Sequence, residues 1–447
     1  MSEPTPALER RRRRTVAWVV ALSTAALVFD GYDLVVYGTV VPTLLGDPSH
    51  LGAMTPTQAG TLGSYALIGV LVGALAAGAV GDRIGRRKVM LVNLAWFSVG
   101  MALTATTHSV QTFGFFRFLT GVGVGALVAT VGALVAEFAP PGQRNRYNAI
   151  VYSGIPAGGV LAALVALGFG DTIGWRGLFW VGALPIVVLL PLAWFLLPES
   201  PKWLVARGRI ADAERISART GLPVPAPELH VPDKVGFPAL ATRDYAFPTF
   251  LLGMMSFAGL LLTYGLNTWL PQIMGEQGYG KSWSLAFLLI LNLGAIIGGL
   301  AASFFADRLG AKRVVVSTFV LAAITLALLP LDLPSVVLFA AVALAGVGTI
   351  GTQVLIYGMV SNYYPTTARA AGVAWCAGFG RLGGIVGPIV GGVLVGAGVG
   401  GSTAFQLFAA VSLVGALVTS LVPRTRHVEQ APVEQQEPVA VGSTVTA

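Results

Sequence analysis

The 447 residues are 55% hydrophobic and only 11% charged, with a mean hydropathy of +0.76 and a formal net charge of +8. Soluble domains carry about 25% charged residues, so the composition excludes a soluble protein and points to an integral membrane one. The single cysteine, Cys376, excludes an intrachain disulfide, and no nucleic-acid motif accompanies the positive charge.

A basic tail, residues 1–16 with Arg10 to Arg14, leads into the first of twelve apolar runs. We place them at 17–45, 60–80, 88–107, 110–138, 147–169, 175–197, 247–273, 283–306, 313–332, 335–363, 369–398 and 401–422. Each suits a crossing of about 17–25 residues. None alternates as a membrane barrel strand does, so helices are the spanning elements. The first run is full length and carries two aspartates, unlike a cleaved signal. The runs group as a six-helix bundle (17–197), a polar segment (198–246), a second six-helix bundle (247–422) and a polar tail (423–447) whose composition reads as disordered. Lys and Arg concentrate on one side, in the tails, "GDRIGRRK", Arg144 and Arg146, the 198–246 segment, "ADRLGAKR" and Arg369, against Arg176 and Lys281 on the other. The positive-inside rule then makes both termini cytoplasmic.

Adding 225 to first-half numbers recovers the second half. "GALAAGAVGDRIGRRK" at 73–88 aligns with Gly298 followed by "GLAASFFADRLGAKR", and the shift carries Gly121, Gly123, Pro140, Arg144, Gly158 and Gly159 onto Gly346, Gly348, Pro365, Arg369, Gly383 and Gly384. Six helices separate equivalent positions, an even number, so the halves share one orientation. This predicts an all-α fold of two parallel-repeat six-helix bundles around a central cavity, with glycines letting helices approach closely.

Four charges lie at membrane depth. Asp30 and Asp33 in "DGYD" sit on one face of the first helix, and an aspartate there costs roughly 2.5–3.5 kcal/mol on insertion scales. Two carboxylates at that spacing repel when both are ionised, which makes the pair a candidate proton carrier; a structural bridge to Arg or to backbone donors is the alternative. Arg117 and Arg381, one from each half, offer planar forks for an organic anion, although Arg117 has the alternatives of snorkelling outward or pairing with Asp30 or Asp33. Tyr32, Tyr37, Tyr152, Tyr264, Asn267, Asn292, Gln353, Tyr357, Trp375 and Phe379 are candidate walls for a flat ring bearing one carboxylate. His50, His108, His230 and His427 all fall in loops or tails. With no metal-ligand cluster, phosphate-cradling loop or catalytic triad, no cofactor and no enzymatic reaction are expected. An ion gradient, or the substrate's own, must supply the energy.

The loop motifs "GDRIGRRK", "ADRLGAKR", "RFLTGVGVGA", "AEFAPPGQRNR" and "PESPKWL" resemble the major facilitator superfamily across the chain, and "DGYD" is similar to its aromatic acid:proton symporters. The resemblance implies proton-coupled uptake of a benzoate- or hydroxybenzoate-class anion by alternating access, through a monomer in the plasma membrane. It further implies gating by Asp82, Arg83, Arg86, Glu137, Arg144, Asp307, Arg308 and Arg369; helix capping with topology signalling is the plainer reading of the same residues. A drug or organic-acid exporter, or a sugar or polyol porter, remains an alternative on the same fold.

Overall fold

A computed structural model describes residues 6–140, 143–224, 237–364 and 366–423; within these, the side chains of 78–82, 144, 145, 237, 239, 366, 367 and 370 are outside the description. Asp82 and Arg144 therefore lie outside the described side chains, as does the polar tail from residue 424. The described residues form helices and no strand. The first half holds α1 (Pro6–Gly46), α2 (Pro56–Ile84), α3 (Arg86–Ala105), α4 (Val110–Phe138), α5 (Arg144–Tyr152), α6 (Gly154–Gly182) and α7 (Leu189–Leu196). Short helices α8 (Pro201–Ala206), α9 (Ile210–Thr220) and α10 (Phe237–Leu240) lead to the second half: α11 (Ala246–Glu276), α12 (Lys281–Leu309), α13 (Ala311–Leu328), α14 (Ser335–Gly346), α15 (Thr352–Tyr363), α16 (Thr366–Gly396) and α17 (Gly400–Leu421).

Eleven stretches are long and apolar enough to cross a membrane, one of them Arg146–Gly182, and a shorter apolar stretch follows at Leu184–Leu196. Gly174 (φ 63°, ψ 179°) breaks α6, in a region of backbone space open essentially to glycine alone. The break divides 144–196 into a fifth crossing before Gly174 and a sixth after it, the latter kinked by a 3₁₀ turn at Leu184–Ile186 containing Pro185. The result is a twelve-helix membrane fold. In the second half α14 and α15 form one crossing, joined by a wide π-helical turn at Val347–Gly351.

The 225-residue offset holds at the level of atomic contacts. A Cβ added at Gly69 would stand 2.1 Å from the Phe118 carbonyl, and one at Gly294 would stand 2.1 Å from that of Ala343; at Gly121 and Gly346 the carbonyls of Ala66 and Leu291 would be 2.0 Å away. Backbone-to-backbone approach this close is how helices gain packing energy where lipid is as apolar as leucine. Gly85 and Gly310, again 225 apart, both take positive φ (101° and 90°) and separate α2 from α3 and α12 from α13.

The halves meet where α2 packs on α16, α6 on α12 and α1 on α11. These contacts cluster in the parts of the helices remote from the Arg-rich loops. Ser64 donates to the Ile385 carbonyl at 2.6 Å, Lys281 donates to Asp171 at 2.5 Å, and Cβ atoms at Gly38 and Gly60 would lie 1.9 and 2.4 Å from the carbonyls of Asn267 and Pro388. That end of the molecule is sealed. At the opposite end α1 extends down to Pro6, and Thr15 bonds the Thr220 carbonyl at 3.2 Å, so residues 6–16, expected as a tail, continue the first helix against α9.

The seal predicts a simple test. Because nothing larger than hydrogen fits at Gly60, Gly60→Val is expected to hold the bundles apart at that end and to make the thiol introduced by Ser64→Cys reactive to a membrane-impermeant maleimide. Cys376 is buried and gives little background. Equal protection of the introduced thiol with and without the valine would contradict the seal.

Candidate functional site

Asp30 and Asp33 leave the same helix for different surroundings. Both are buried. Asp33 accepts from Arg117 of α4 in a fully buried ion pair, and the Arg117 guanidinium also lies over the rings of Tyr37 (5.4 Å) and Phe179 (5.8 Å). The pairing uses one prong only: Asp33 Oδ2 and Arg117 Nε have no hydrogen-bond partner among the described residues. Tyr37 donates to the Ala59 carbonyl (2.6 Å) and Tyr32 to that of Leu178 (2.8 Å), so both tyrosines are committed inside the first bundle.

Asp30 has a buried Oδ1 without a partner among the described residues, and the charges that act on it are Asp33 and, from the other bundle, Arg381. Arg381 is half-buried on α16 and makes no ion pair or hydrogen bond among the described residues. Its charge also acts on Tyr152, Tyr264 and Tyr357. Helices from both bundles thus bring one carboxylate, one guanidinium and three phenols to a common centre. Tyr357 stands one turn beyond Gln353, which follows the π turn and bonds Ser256 of α11 at 3.0 Å. That turn carries small residues at Gly348 and Gly351, which pack against the Thr318 carbonyl and Gly299.

The remaining wall candidates divide between this centre and the seal. Trp375 and Phe379, six and two residues before Arg381, stack with centroids 5.4 Å apart, with Phe257 6.1 Å from Phe379 and the Trp375 indole donating to the Thr249 carbonyl at 3.1 Å. They form an apolar, flat-sided wall against α11, where both lie over Gly253. Asn292 donates to Asn267 at 3.0 Å, and both press on the first bundle, where Gly159 and Gly38 leave room for them. They belong to the closed contact between bundles. Tyr152, Tyr264, Tyr357, Trp375, Phe379 and Arg381 are the half-buried members.

The sequence profile of the Major Facilitator Superfamily matches residues 23–303 and 288–445. The chain belongs to that superfamily. Among curated facilitators it is 35% identical to a benzoate transport protein of Acinetobacter baylyi over 395 residues (84% of this chain, 83% of that one). It is also 35% identical to a gentisate transporter of Corynebacterium glutamicum over 401 residues (89% and 85%), and 30% identical to a gallate transporter of Pseudomonas putida over 421 residues (92% of each). Among solved structures it superposes on a D-xylose-proton symporter with a TM-score of 0.74, at 18% identity and over 92% of this chain and 99% of that one. At that identity the likeness is one of fold. This facilitator is a membrane transporter, not an enzyme.

At the Arg-rich face of the facilitator fold, Arg86 of α3 bridges Glu137 at the end of α4 (3.2 Å), while Arg83, Asp307, Arg308 and Arg369 are exposed, Arg308 lying over the Phe304 ring at 4.1 Å. Glu199 of "PESPKWL" was not singled out from the sequence, yet it accepts the backbone N–H groups of Arg87 (3.0 Å) and Ser200 (3.1 Å) and caps α3. Burial pushes its carboxyl up from the ordinary value, against the pull of those N–H groups and of the Arg87 charge. The available signal was an acid held between two prolines, Pro198 and Pro201, directly after an apolar run. Ser256, which joins α11 to Gln353, gave no signal at all.

A buried pair that loses one member leaves a bare charge, a loss of about 3–5 kcal/mol. Arg117→Leu is therefore expected to lower the thermal unfolding midpoint of the purified protein sharply, and adding Asp33→Asn to recover most of it. A double variant no more stable than the single one would show that the pair is not mutually compensating.

Proposed function

We propose that this facilitator imports an aromatic carboxylate together with protons, from the side of the seal to the side of the Arg-rich loops, which is the cytoplasm and holds both termini. The observation that carries the reading is the buried Asp30, unpaired among the described residues and acted on by the Arg381 charge of the other bundle, while Asp33 is already neutralised by Arg117. Curated relatives named for benzoate, gentisate and gallate support the substrate class. The stacked Trp375 and Phe379 offer a ring a flat apolar face on the same helix as the cation, Arg381, that can take its carboxylate. The protein acts as a monomer.

Coupling follows from the count of charges. With the site empty, the Arg381 charge acts on Asp30 across the bundle interface without an ion pair. A substrate carboxylate on Arg381 takes that countercharge away, and Asp30, buried and otherwise unpaired, must then take up a proton. The loaded site carries one substrate anion, one protonated Asp30 and one guanidinium, so charge in the dry centre stays balanced. Release on the cytoplasmic side leaves the Arg381 charge to act on Asp30 alone again, and Asp30 gives up its proton there. Net transport moves anion and proton together, which is required because an anion moving inward against 100 mV costs about 2.3 kcal/mol. Tyr152, Tyr264 and Tyr357 supply hydroxyls around the carboxylate, and Gln353 with Ser256 holds Tyr357 in place. With the outer end sealed, the exposed Asp307, Arg308 and Arg369 are released latches that re-form contacts when the cytoplasmic end closes.

In proteoliposomes, Asp30→Asn is expected to abolish accumulation of labelled benzoate or gentisate driven by a pH gradient while sparing counterflow at equal pH, and an uncoupler should stop the wild-type accumulation. Gradient-driven accumulation by the variant would overturn the coupling role, and accumulation of a sugar alone would overturn the substrate class. Arg381→Lys keeps the charge but loses the planar fork, so substrate affinity is expected to fall about tenfold or more, a loss of about 1.4 kcal/mol. Unchanged affinity, measured by calorimetry, would remove Arg381 from the site.

A further inference from the structure

Away from the central site, at the Arg-rich face, α3, α7 and α9 enclose a second recess. It has a volume of about 310 Å³ and its walls include Arg87, Arg219, Trp194, Phe195, Ile216 and Glu199. Arg87 donates to the Trp194 carbonyl at 2.5 Å and its guanidinium sits 5.5 Å from the centre of the Trp194 ring. Trp194 and Phe195 are 58% and 72% exposed, at the last turn of a crossing helix. Exposed aromatics at that depth belong to the bilayer interface, where the headgroups lie. Neither Arg87 nor Arg219 forms an ion pair among the described residues. The one acid in the wall, Glu199, is largely buried and engaged with backbone N–H groups of Arg87 and Ser200. The local balance is two guanidiniums against one capped carboxylate.

We propose that this recess binds the headgroup of an anionic phospholipid of the leaflet beside the Arg-rich loops, with the phosphate between Arg87 and Arg219 and an acyl chain laid over Phe195. Planar guanidiniums recognise phosphate oxygens through paired N–H donors. Trp194 holds Arg87 by its ring and by its backbone carbonyl, and its indole marks the level of the ester groups. A soluble phosphate would meet the same two cations but gain nothing from Phe195, and the exposed aromatic is what favours lipid. Bound lipid would tie α9, and with it the extension of α1 that packs on Thr220, to the membrane beside α3 and α7. None of these residues takes part in the substrate site.

The test is quenching of Trp194 fluorescence, isolated by difference from Trp194→Phe, with the detergent-purified protein titrated with brominated phosphatidylglycerol or brominated phosphatidylcholine. Anionic lipid is expected to be preferred by about tenfold or more, since each basic side chain near a charged headgroup contributes on the order of a fivefold gain. The preference should vanish in Arg87→Gln/Arg219→Gln and fall in Arg219→Gln, an exposed change that leaves folding intact. Inorganic phosphate at millimolar concentration should not displace the lipid. Equal quenching by both lipids, a preference that survives the double variant, or displacement by inorganic phosphate would each overturn the proposal, the last by assigning the recess to a soluble anion.

Discussion

A guanidinium and a carboxylate buried between α1 and α4 neutralise one another, and this sets the terms for every other charge in the molecule. Removing two ions from water is expensive, and only mutual attraction with good local geometry offsets it. Asp33 and Arg117 meet that condition inside one bundle, reinforced by the faces of Tyr37 and Phe179. Asp30, three residues earlier on the same helix, finds no partner in its own bundle and looks across to Arg381. One carboxylate is thus a fixed element of structure. Its neighbour has no such partner among the described residues, and the guanidinium that acts on it belongs to the other bundle.

Such a division needs two bodies that can close tightly at one end while remaining separable. Glycine provides the means. Within each bundle the α2/α4 contact and its equivalent, α12/α14, place carbonyls where no side chain could fit, so each half is rigid. Between the bundles, Gly38, Gly60 and Gly159 do the same at the sealed end, but there the contact joins helices of different halves and carries few hydrogen bonds. Interfaces of small residues form and part with little side-chain rearrangement. The π turn before Gln353 breaks the repeat's symmetry: the equivalent stretch of α4 is regular helix, and only the second half uses the wider turn to present Tyr357 toward Arg381.

Much of this was legible in the residues. Hydropathy and the 225 offset carried the fold because membrane helices need length and repeats preserve packing glycines, so Gly121 read directly onto Gly346; Gly69 and Gly294 obey the same offset without having been singled out. Charged residues at membrane depth were legible for the reason that makes them costly. The direction each side chain takes around its helix was not. Tyr32 and Tyr37 share a helix with Asp30 yet point into the first bundle, and Asn267 and Asn292 serve the seal between bundles; spacing along a helix gives a face but not the neighbour that face will meet. The fifth and sixth crossings were legible too: the gap left between 147–169 and 175–197 holds Gly174, whose positive φ makes the break. Glu199 caps α3 from a segment more than a hundred residues away, a tertiary contact with no local pattern.

The central claim is that the two aspartates of "DGYD" differ, Asp30 changing protonation as substrate binds and Asp33 staying ionised beside Arg117. Infrared difference spectroscopy of the purified protein, with and without substrate, tests it most directly. Substrate should produce the carbonyl band of a newly protonated carboxyl, which Asp30→Asn abolishes and Asp33→Asn leaves in place provided that variant still binds. A band that persists in Asp30→Asn, or one that disappears only in a binding-competent Asp33→Asn, would contradict the account.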